Sequence, residues 1–307
     1  MPFFSSPPSV CRYLALLVLP LLATVAIAQE IAITPDLQAI ADQGEVIIGV
    51  RESALPFAYL ARDGSAAGYS IALCNKVVDN LRKTLNKPDL RVRYNNVTLV
   101  TRTLLVREKV VDMECGATSH TAARAKDFGF SVAFGVEQAV LVSPATAPLK
   151  SLDGLAGKRV LVSEGSTSEA LLKALKLAGT FTAEIVPVRS SARAYYALKD
   201  RKADAYYGSG EIFLGDAMQR GGDLTGLIIS PVPGPLKPLA IMMRKDRPGL
   251  KAVADKTVSD LARSGELRSA YRTWFEQPIT GYGLNLALPP SQAWLAMLSN
   301  PHDRPAE

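Results

Sequence analysis

Apolar residues recur at Ile71, Leu73, Cys74, Val77, Val78, Leu81 and Leu85, a spacing of three and four that predicts a helix over 71–85. Around it the rhythm changes. "EVIIGVR" (45–51) is a short apolar run and predicts a buried strand. "LRVRYNNV" (90–97) alternates as a strand does, "TRTLLVREK" (101–109) returns to helical spacing, and "VVDMECG" (110–116) is apolar and short again. Between the first strand and the helix, "RDGSAAGYS" (62–70) predicts a hairpin-like turn on Asp63-Gly64, with Phe57 and Tyr59 before it as packing residues. Strand and helix in alternation predict a mostly parallel sheet with helices on its faces.

The pattern then restarts. "EQAVLVS" (137–143) predicts a further strand, and "PATAPLKSLDGLAGK" (144–158) a linker. "RVLVSEGST" (159–167), "SEALLKALKLAG" (168–179), "AEIVPV" (183–188), "SARAYYALKDRK" (191–202) and "ADAYYGS" (203–209) form a second strand–helix series. "SPVPGPLKP" (230–238) reads as a second linker and "LAIMMRK" (239–245) as a strand. A long amphipathic helical region covers 249–275, broken near Ser264-Gly265. The expectation is an α/β protein of two lobes: residues 40–143 with 239–285, and residues 147–237, followed by a tail at 286–307. That tail holds a short apolar helix candidate, Trp294–Leu298, and ends in a polar stretch, "SNPHDRPAE", expected to be disordered. A chain that passes twice between lobes suggests a hinge, and the space between lobes is a favoured ligand site.

Residues 1–28 read as a cleaved secretory signal: Arg12, an apolar run with a proline at 13–28, and "AIA" before Gln29. The mature chain is therefore expected outside the cytoplasm, under oxidising conditions. There Cys74 and Cys115 either pair or stay as two buried thiols. Length, at 307 residues, suits two lobes, and 48% hydrophobic with 21% charged residues suits a folded chain. The net charge of +6 comes from dispersed Lys and Arg with no basic stripe, so nucleic acid is not an expected partner.

Ligands of open parallel sheets bind beyond the carboxyl ends of the strands. Three such ends carry chemistry: Arg51-Glu52-Ser53; Thr118, Ser119 and Thr121 with Arg124; and Gly165 to Ser168 entering a helix. A helix N-terminus attracts anions, and arginine suits a carboxylate. Each has a plainer reading: Ser166–Ser168 as a helix cap with Glu169 in the first turn, Arg124 as a solvated charge, Arg51 as a surface ion pair. Their joint occurrence favours a small carboxylate held between two lobes.

At this point the chain resembles the periplasmic substrate-binding proteins of polar amino acid ABC transporters (bacterial extracellular solute-binding protein family 3), closest to the glutamate/aspartate branch. The segments that carry the likeness, over residues 40–285, include "VIIGVRESALPFAY", "GYSIALCNKVV", "DMECGATSHTAARAKDFGFS", "VLVSEGSTSEALL" and "MMRKDRP". The resemblance implies the type II binding-protein fold, hinge closure, a membrane ABC permease as partner, a monomer, a periplasmic location and no cofactor. It implies that Ser119 and Arg124, with Thr118, clamp the ligand α-carboxylate, that Ser166 and Thr167 add donors, and that Arg51 and Arg102 face a side-chain carboxylate. Ser70 stands where relatives for cationic ligands carry an acid.

One departure stands out. The family has an aspartate for the ligand ammonium where this chain has Ser209, so either Glu211 reaches in, or the ligand lacks an ammonium, or the pocket is weakened. A histidine of the acidic branch is replaced at about Ser191. Two competing readings remain: an accessory module with a decayed pocket, and a dehydratase-like enzyme. Against the enzyme, the chain has only His120 and His302, no G-x-S-x-G turn and no metal-ligand cluster. His120 is read as a solvated loop histidine.

Overall fold

The helical spacing over 71–85 is realised as a helix from Tyr69 to Thr84, whose buried face is Ile71, Leu73, Cys74, Val77, Val78 and Leu81. It lies on the first of two five-stranded sheets. The computed structural model describes Met1 and residues 31–279 and 282–307. The expected signal segment lies, beyond Met1, outside the described residues.

Across the first sheet the order is Arg91–Val97, Glu45–Arg51, Met113–Glu114, Met242–Arg244 and Phe128–Phe130. Across the second it is Glu184–Val188, Arg159–Ser163, Ala205–Ser209, Ala139–Pro144 and Leu227–Pro231. In each, one strand runs against the rest: Met242–Arg244 is antiparallel to both neighbours, and so is Ala139–Pro144. These two strands share an origin. Each is the first strand the chain lays down after crossing from the other sheet.

The crossings are a short antiparallel pair, Gly135–Glu137 against Lys237–Leu239, with Glu137 opposite Lys237. This differs from the sequence expectation. "EQAVLVS" is two elements, and its apolar part, Ala139–Pro144, belongs to the second sheet. The stretch 144–158 is no crossing either. Leu149, Leu152 and Leu155 cover one face of the second sheet, because a Pro-rich segment with a leucine every few residues can still bury apolar area. Leu227–Pro231, whose last two residues were read as the start of a linker, is an edge strand whose proline is at its end.

The long C-terminal helical region is broken as expected. Pro248–Arg263 ends before Gly265, which has φ of 79°, and Glu266–Tyr271 follows. A further helix, Gln292–Ser299, sets Trp294 into an aromatic cluster with Phe57, Tyr69, Tyr271 and Phe275. The polar end is ordered, contrary to expectation: the Ala133 N–H donates to His302 O, and Ala306 bridges to Thr121. Backbone groups of His120, Ala122 and Ala133, outside the named strands, take the tail as their hydrogen-bond partner without any apolar signal.

Cys74 and Cys115 form a disulfide, with Cα atoms 6.4 Å apart. It ties the Tyr69–Thr84 helix to the segment that carries the candidate clamp.

Candidate functional site

A cleft with about 40 Å³ of space accessible to water lies between the two sheets. From the first side it is lined by Arg51, Leu99, Arg102, Ala117 and Ser119, from the second by Ser163, Ser166, Thr167, Ser168, Ser191, Tyr206, Gly208, Ser209 and Ile212, and from the crossing by Glu137.

Arg51 ends the Glu45–Arg51 strand and is buried. Burial pulls its guanidinium pKa down, opposed by the charges of Asp216 and Glu114. Arg102 begins the Arg102–Arg107 helix at 2% exposure. Its Nη1 donates to Thr118 Oγ1 at 2.6 Å, and the Thr118 hydroxyl donates to Glu114 Oε2 at 2.5 Å. Arg102 Nε and Glu114 Oε1 have no partner. Burial, and then the like charge of Arg124, bring the Arg102 pKa down to about 9. It is still a cation at neutral pH, held where a cation is costly.

The Ser119 segment is fixed by the second crossing strand. The Ala240 N–H donates to Thr118 O, the His120 N–H to Pro238 O, and Ser119 bridges Leu239. Arg124, in the short helix after it, turns back and donates from Nη1 to Ser119 O at 3.0 Å. Thr121 caps this turn, accepting from the Arg124 N–H. Arg124 is half-buried and beside the cleft rather than in its wall.

On the second side, Ser166 caps the Thr167–Leu177 helix by accepting from the Glu169 N–H at 3.1 Å. Thr167 accepts a hydrogen bond from Lys237 Nζ at 3.0 Å. The Tyr206 hydroxyl lies 3.3 Å from Ser163 Oγ and 3.2 Å from Ser191 Oγ. Thus Arg51, Arg102, Ser119, Ser166, Thr167 and Ser209 of the expected set line one cleft, with Thr118 and Arg124 hydrogen-bonded to its lining residues Arg102 and Ser119.

Ser70 and Glu211 do not. Ser70 is fully buried and donates to Phe57 O at 2.9 Å, so its hydroxyl serves a turn of the first lobe. Glu211 accepts from Ser209 Oγ at 3.1 Å but lines a different cavity, with Tyr271 and Trp294. Ser209 caps the helix Gly210–Gln219, and two residues of helical turn carry Glu211 away from the cleft. His120 is not solvated. It is 5% exposed and stacks on Phe130 with centroids 4.3 Å apart, which holds it neutral, its pKa lowered to about 4 by burial.

Ser168, read at the third strand end, and Ser191, read as the place of a missing histidine, line the cleft too. Ser163 and Tyr206 were not expected: Ser163 ends the Arg159–Ser163 strand, where the rule for parallel sheets could have found it, whereas Tyr206 lies near the start of the Ala205–Ser209 strand, where that rule does not look. Glu137 and Lys237 carried no such signal. Glu137 is half-buried, and its Oε2 accepts from Ser119 Oγ at 3.2 Å. Among the described residues, Arg51, Arg102, Arg124 and Glu137 form no ion pair within 4.0 Å. The cleft therefore holds cationic donors without charged partners, lined by hydroxyls that can donate or accept.

The two lobes touch at backbone level. A Cβ on Gly165 would stand 2.8 Å from Leu99 O, and one on Gly215 would stand 2.2 Å from Leu55 O. Leu55 packs with Leu214 and Met218 of the helix Gly210–Gln219.

Comparison with known proteins agrees with this architecture. The family described as bacterial extracellular solute-binding proteins, family 3, matches residues 46–277. The chain is 35% identical to the L-glutamate/L-aspartate-binding protein of Pseudomonas aeruginosa over 292 residues, covering 95% of this chain and 96% of that one. It is 30% identical to the glutamate/aspartate import solute-binding protein of Escherichia coli, covering 94% and 96%. Among solved structures, a mutant of ArgBP from T. maritima superposes with a TM-score of 0.69 at 19% identity, over 79% of this chain and all of that one. The fold is thus the two-lobed, type II periplasmic-binding-protein fold.

Proposed function

This chain belongs to the bacterial extracellular solute-binding proteins, family 3, and from that premise we propose that it is the periplasmic receptor of an ABC importer for an acidic amino acid, glutamate or aspartate. The observation that carries the reading is the set of three arginines, Arg51, Arg102 and Arg124, gathered at one cleft with no ion pair of their own within 4.0 Å. An α-carboxylate would meet Arg124 beside Ser119. A side-chain carboxylate would meet Arg51 and Arg102, whose desolvation its charge would offset. The names of the relatives in Pseudomonas aeruginosa and Escherichia coli support the same ligand class.

The action is binding rather than bond-making. Ligand meets the first lobe, and the second closes over it because the closed state gives more contacts. The hinge of this reading is the strand pair Gly135–Glu137 and Lys237–Leu239. The closed form then docks on a membrane permease, with the chain delivered outside the cytoplasm by cleavage after its signal segment and acting as a monomer.

The test is thermal stability of the mature protein against glutamate, aspartate, glutamine, glutarate and succinate. A ligand at 100 times its Kd stabilises by about 2.7 kcal/mol. Stabilisation by glutamate or aspartate is the expected result. No shift with any of them would reject the reading in favour of an accessory module, and conversion of a candidate carboxylate to product would favour an enzyme.

A further inference from the structure

A cleft built for two carboxylates should be purely cationic, yet its crossing strand puts a third carboxylate into the wall. Glu137 is half-buried and lines the cleft with Arg51, Arg102 and Ser119. Lys237 is its partner in register, but the Lys237 ammonium is turned to Thr167 and makes no ion pair with Glu137 within 4.0 Å. Ser209, at the end of the opposite strand, is a hydroxyl, and Glu211 points into another cavity. Glu137 is therefore the one carboxylate among the cleft-lining residues described.

Its position has a definite geometry. Ser119 touches both charges: its hydroxyl donates to Glu137 Oε2 at 3.2 Å, and its carbonyl accepts from Arg124 Nη1 at 3.0 Å. An anion-holding guanidinium and a carboxylate are thus attached to one residue. An α-amino acid presents the complementary pair, a carboxylate and an ammonium on a single Cα. The field of Glu137 also acts on Arg51, Arg102 and Arg124.

We propose that Glu137, carried by the crossing strand rather than by either lobe, is the partner of the ammonium group of the bound amino acid and makes the cleft reject dicarboxylates that lack the nitrogen. The proposal rests on the reading that this cleft binds an acidic amino acid. It accounts for a hydroxyl at Ser209, because the countercharge comes from the hinge. An ammonium-free dicarboxylate would face Glu137 with like charge, and specificity built on such repulsion is as effective as added attraction. Because Glu137 lies on the hinge, ammonium capture also engages the element about which the lobes move.

The experiment is calorimetric titration of ligand-free wild type and Glu137→Gln with L-glutamate, L-aspartate, glutarate and succinate. Glutamine is isosteric, and the site is partly exposed, so the variant is expected to fold; a melting curve without ligand checks it. In wild type, glutamate binds and glutarate binds at least about 30-fold more weakly. In Glu137→Gln, glutamate weakens by at least about 30-fold while glutarate is unchanged or tighter, so the preference collapses. Glutamate affinity within about threefold of wild type would overturn the proposal alone. Equal weakening of both ligands would also overturn it, since that is what a structural role produces. Failure of wild type to bind any of the four would instead remove the reading on which the proposal stands.

Discussion

Lys237 Nζ stands 3.0 Å from Thr167 Oγ1, so the second crossing strand is fastened to the first turn of a helix in the second lobe. Lys237 is buried, and this bond ties the hinge to a wall of the cleft. Lys237→Met keeps the aliphatic stem and removes the donor. A hydrogen bond to a charged group contributes about 1.5–3 kcal/mol. Ligand affinity should fall by about tenfold or more, and small-angle scattering should show a less compact ligand-bound form. Unchanged affinity and compactness would mean that the contact plays no part in closure.

Thr118 joins Arg102 to Glu114, receiving from one and donating to the other, and all three are buried. Thr118→Val keeps the shape and cuts both bonds. Arg102 and Glu114 would then each hold a further unpaired group in the interior. The expected cost is about 2–3 kcal/mol in urea denaturation of the ligand-free protein. A ΔΔG below about 0.5 kcal/mol would show that the two charges find each other without the hydroxyl.

Two buried groups titrate in the same pH window with opposite consequences. Burial lowers the His120 pKa to about 4, so the native state favours the neutral ring, and stability is lost as pH falls from about 6.5 to about 4. Burial raises the Asp216 pKa to about 6 against the pull of Arg51, so the native state favours the protonated acid, and stability is lost as pH rises from about 4 to about 6. Each effect amounts to at most about 3 kcal/mol, and they partly cancel in the wild type. Asp216→Asn should be more stable than wild type at pH 8 and should lose stability more steeply on acidification. His120→Phe, which keeps the stacking on Phe130, should lose less than wild type. Parallel curves for all three proteins between pH 4 and 8 would exclude both assignments.

The two-lobed α/β plan was legible because it rests on apolar periodicity, as in Tyr69–Thr84 and Glu45–Arg51. The place of the crossing was not. Ala139–Pro144 is an apolar strand in either sheet, and no residue spacing says which sheet receives it. Arg51, Arg102 and Ser119, which line the cleft, were singled out because they follow strand ends or match a motif. Glu137 was missed because a single glutamate at the start of an apolar run looks like the solvated end of a strand. Lys237, in "GPLKP", looked like a linker charge. Both acquire meaning only from the antiparallel pairing of segments a hundred residues apart. Ser70 erred the other way: its hydroxyl closes a turn onto Phe57 O, a local use that a positional match cannot reveal.

Among the described residues, Gly215 is one of two glycines at which the two lobes meet backbone to backbone, Gly165 being the other. It lies inside the Gly210–Gln219 helix of the second lobe, and a Cβ there would stand 2.2 Å from Leu55 O and 2.7 Å from Leu55 C, both in the first lobe. Backbone atoms cannot swing aside as a side-chain end would, so even a methyl group must hold the lobes apart or displace the turn at Leu55. In an isolated helix the same change is favourable, because alanine exceeds glycine in helix propensity by about 1 kcal/mol. Gly215→Ala should therefore separate two properties that usually move together. The ligand-free protein should fold with its helix intact, while glutamate affinity falls at least about tenfold, since binding energy depends on contacts made only when the lobes meet. Scattering in saturating glutamate should give a radius of gyration above that of liganded wild type. If Gly215→Ala binds glutamate within about threefold of wild type and closes to the same radius, the contact at Leu55 is not a condition of closure. The movement would then pivot so that the Leu55–Gly215 region stays fixed while the lobes part at Gly165 and Leu99.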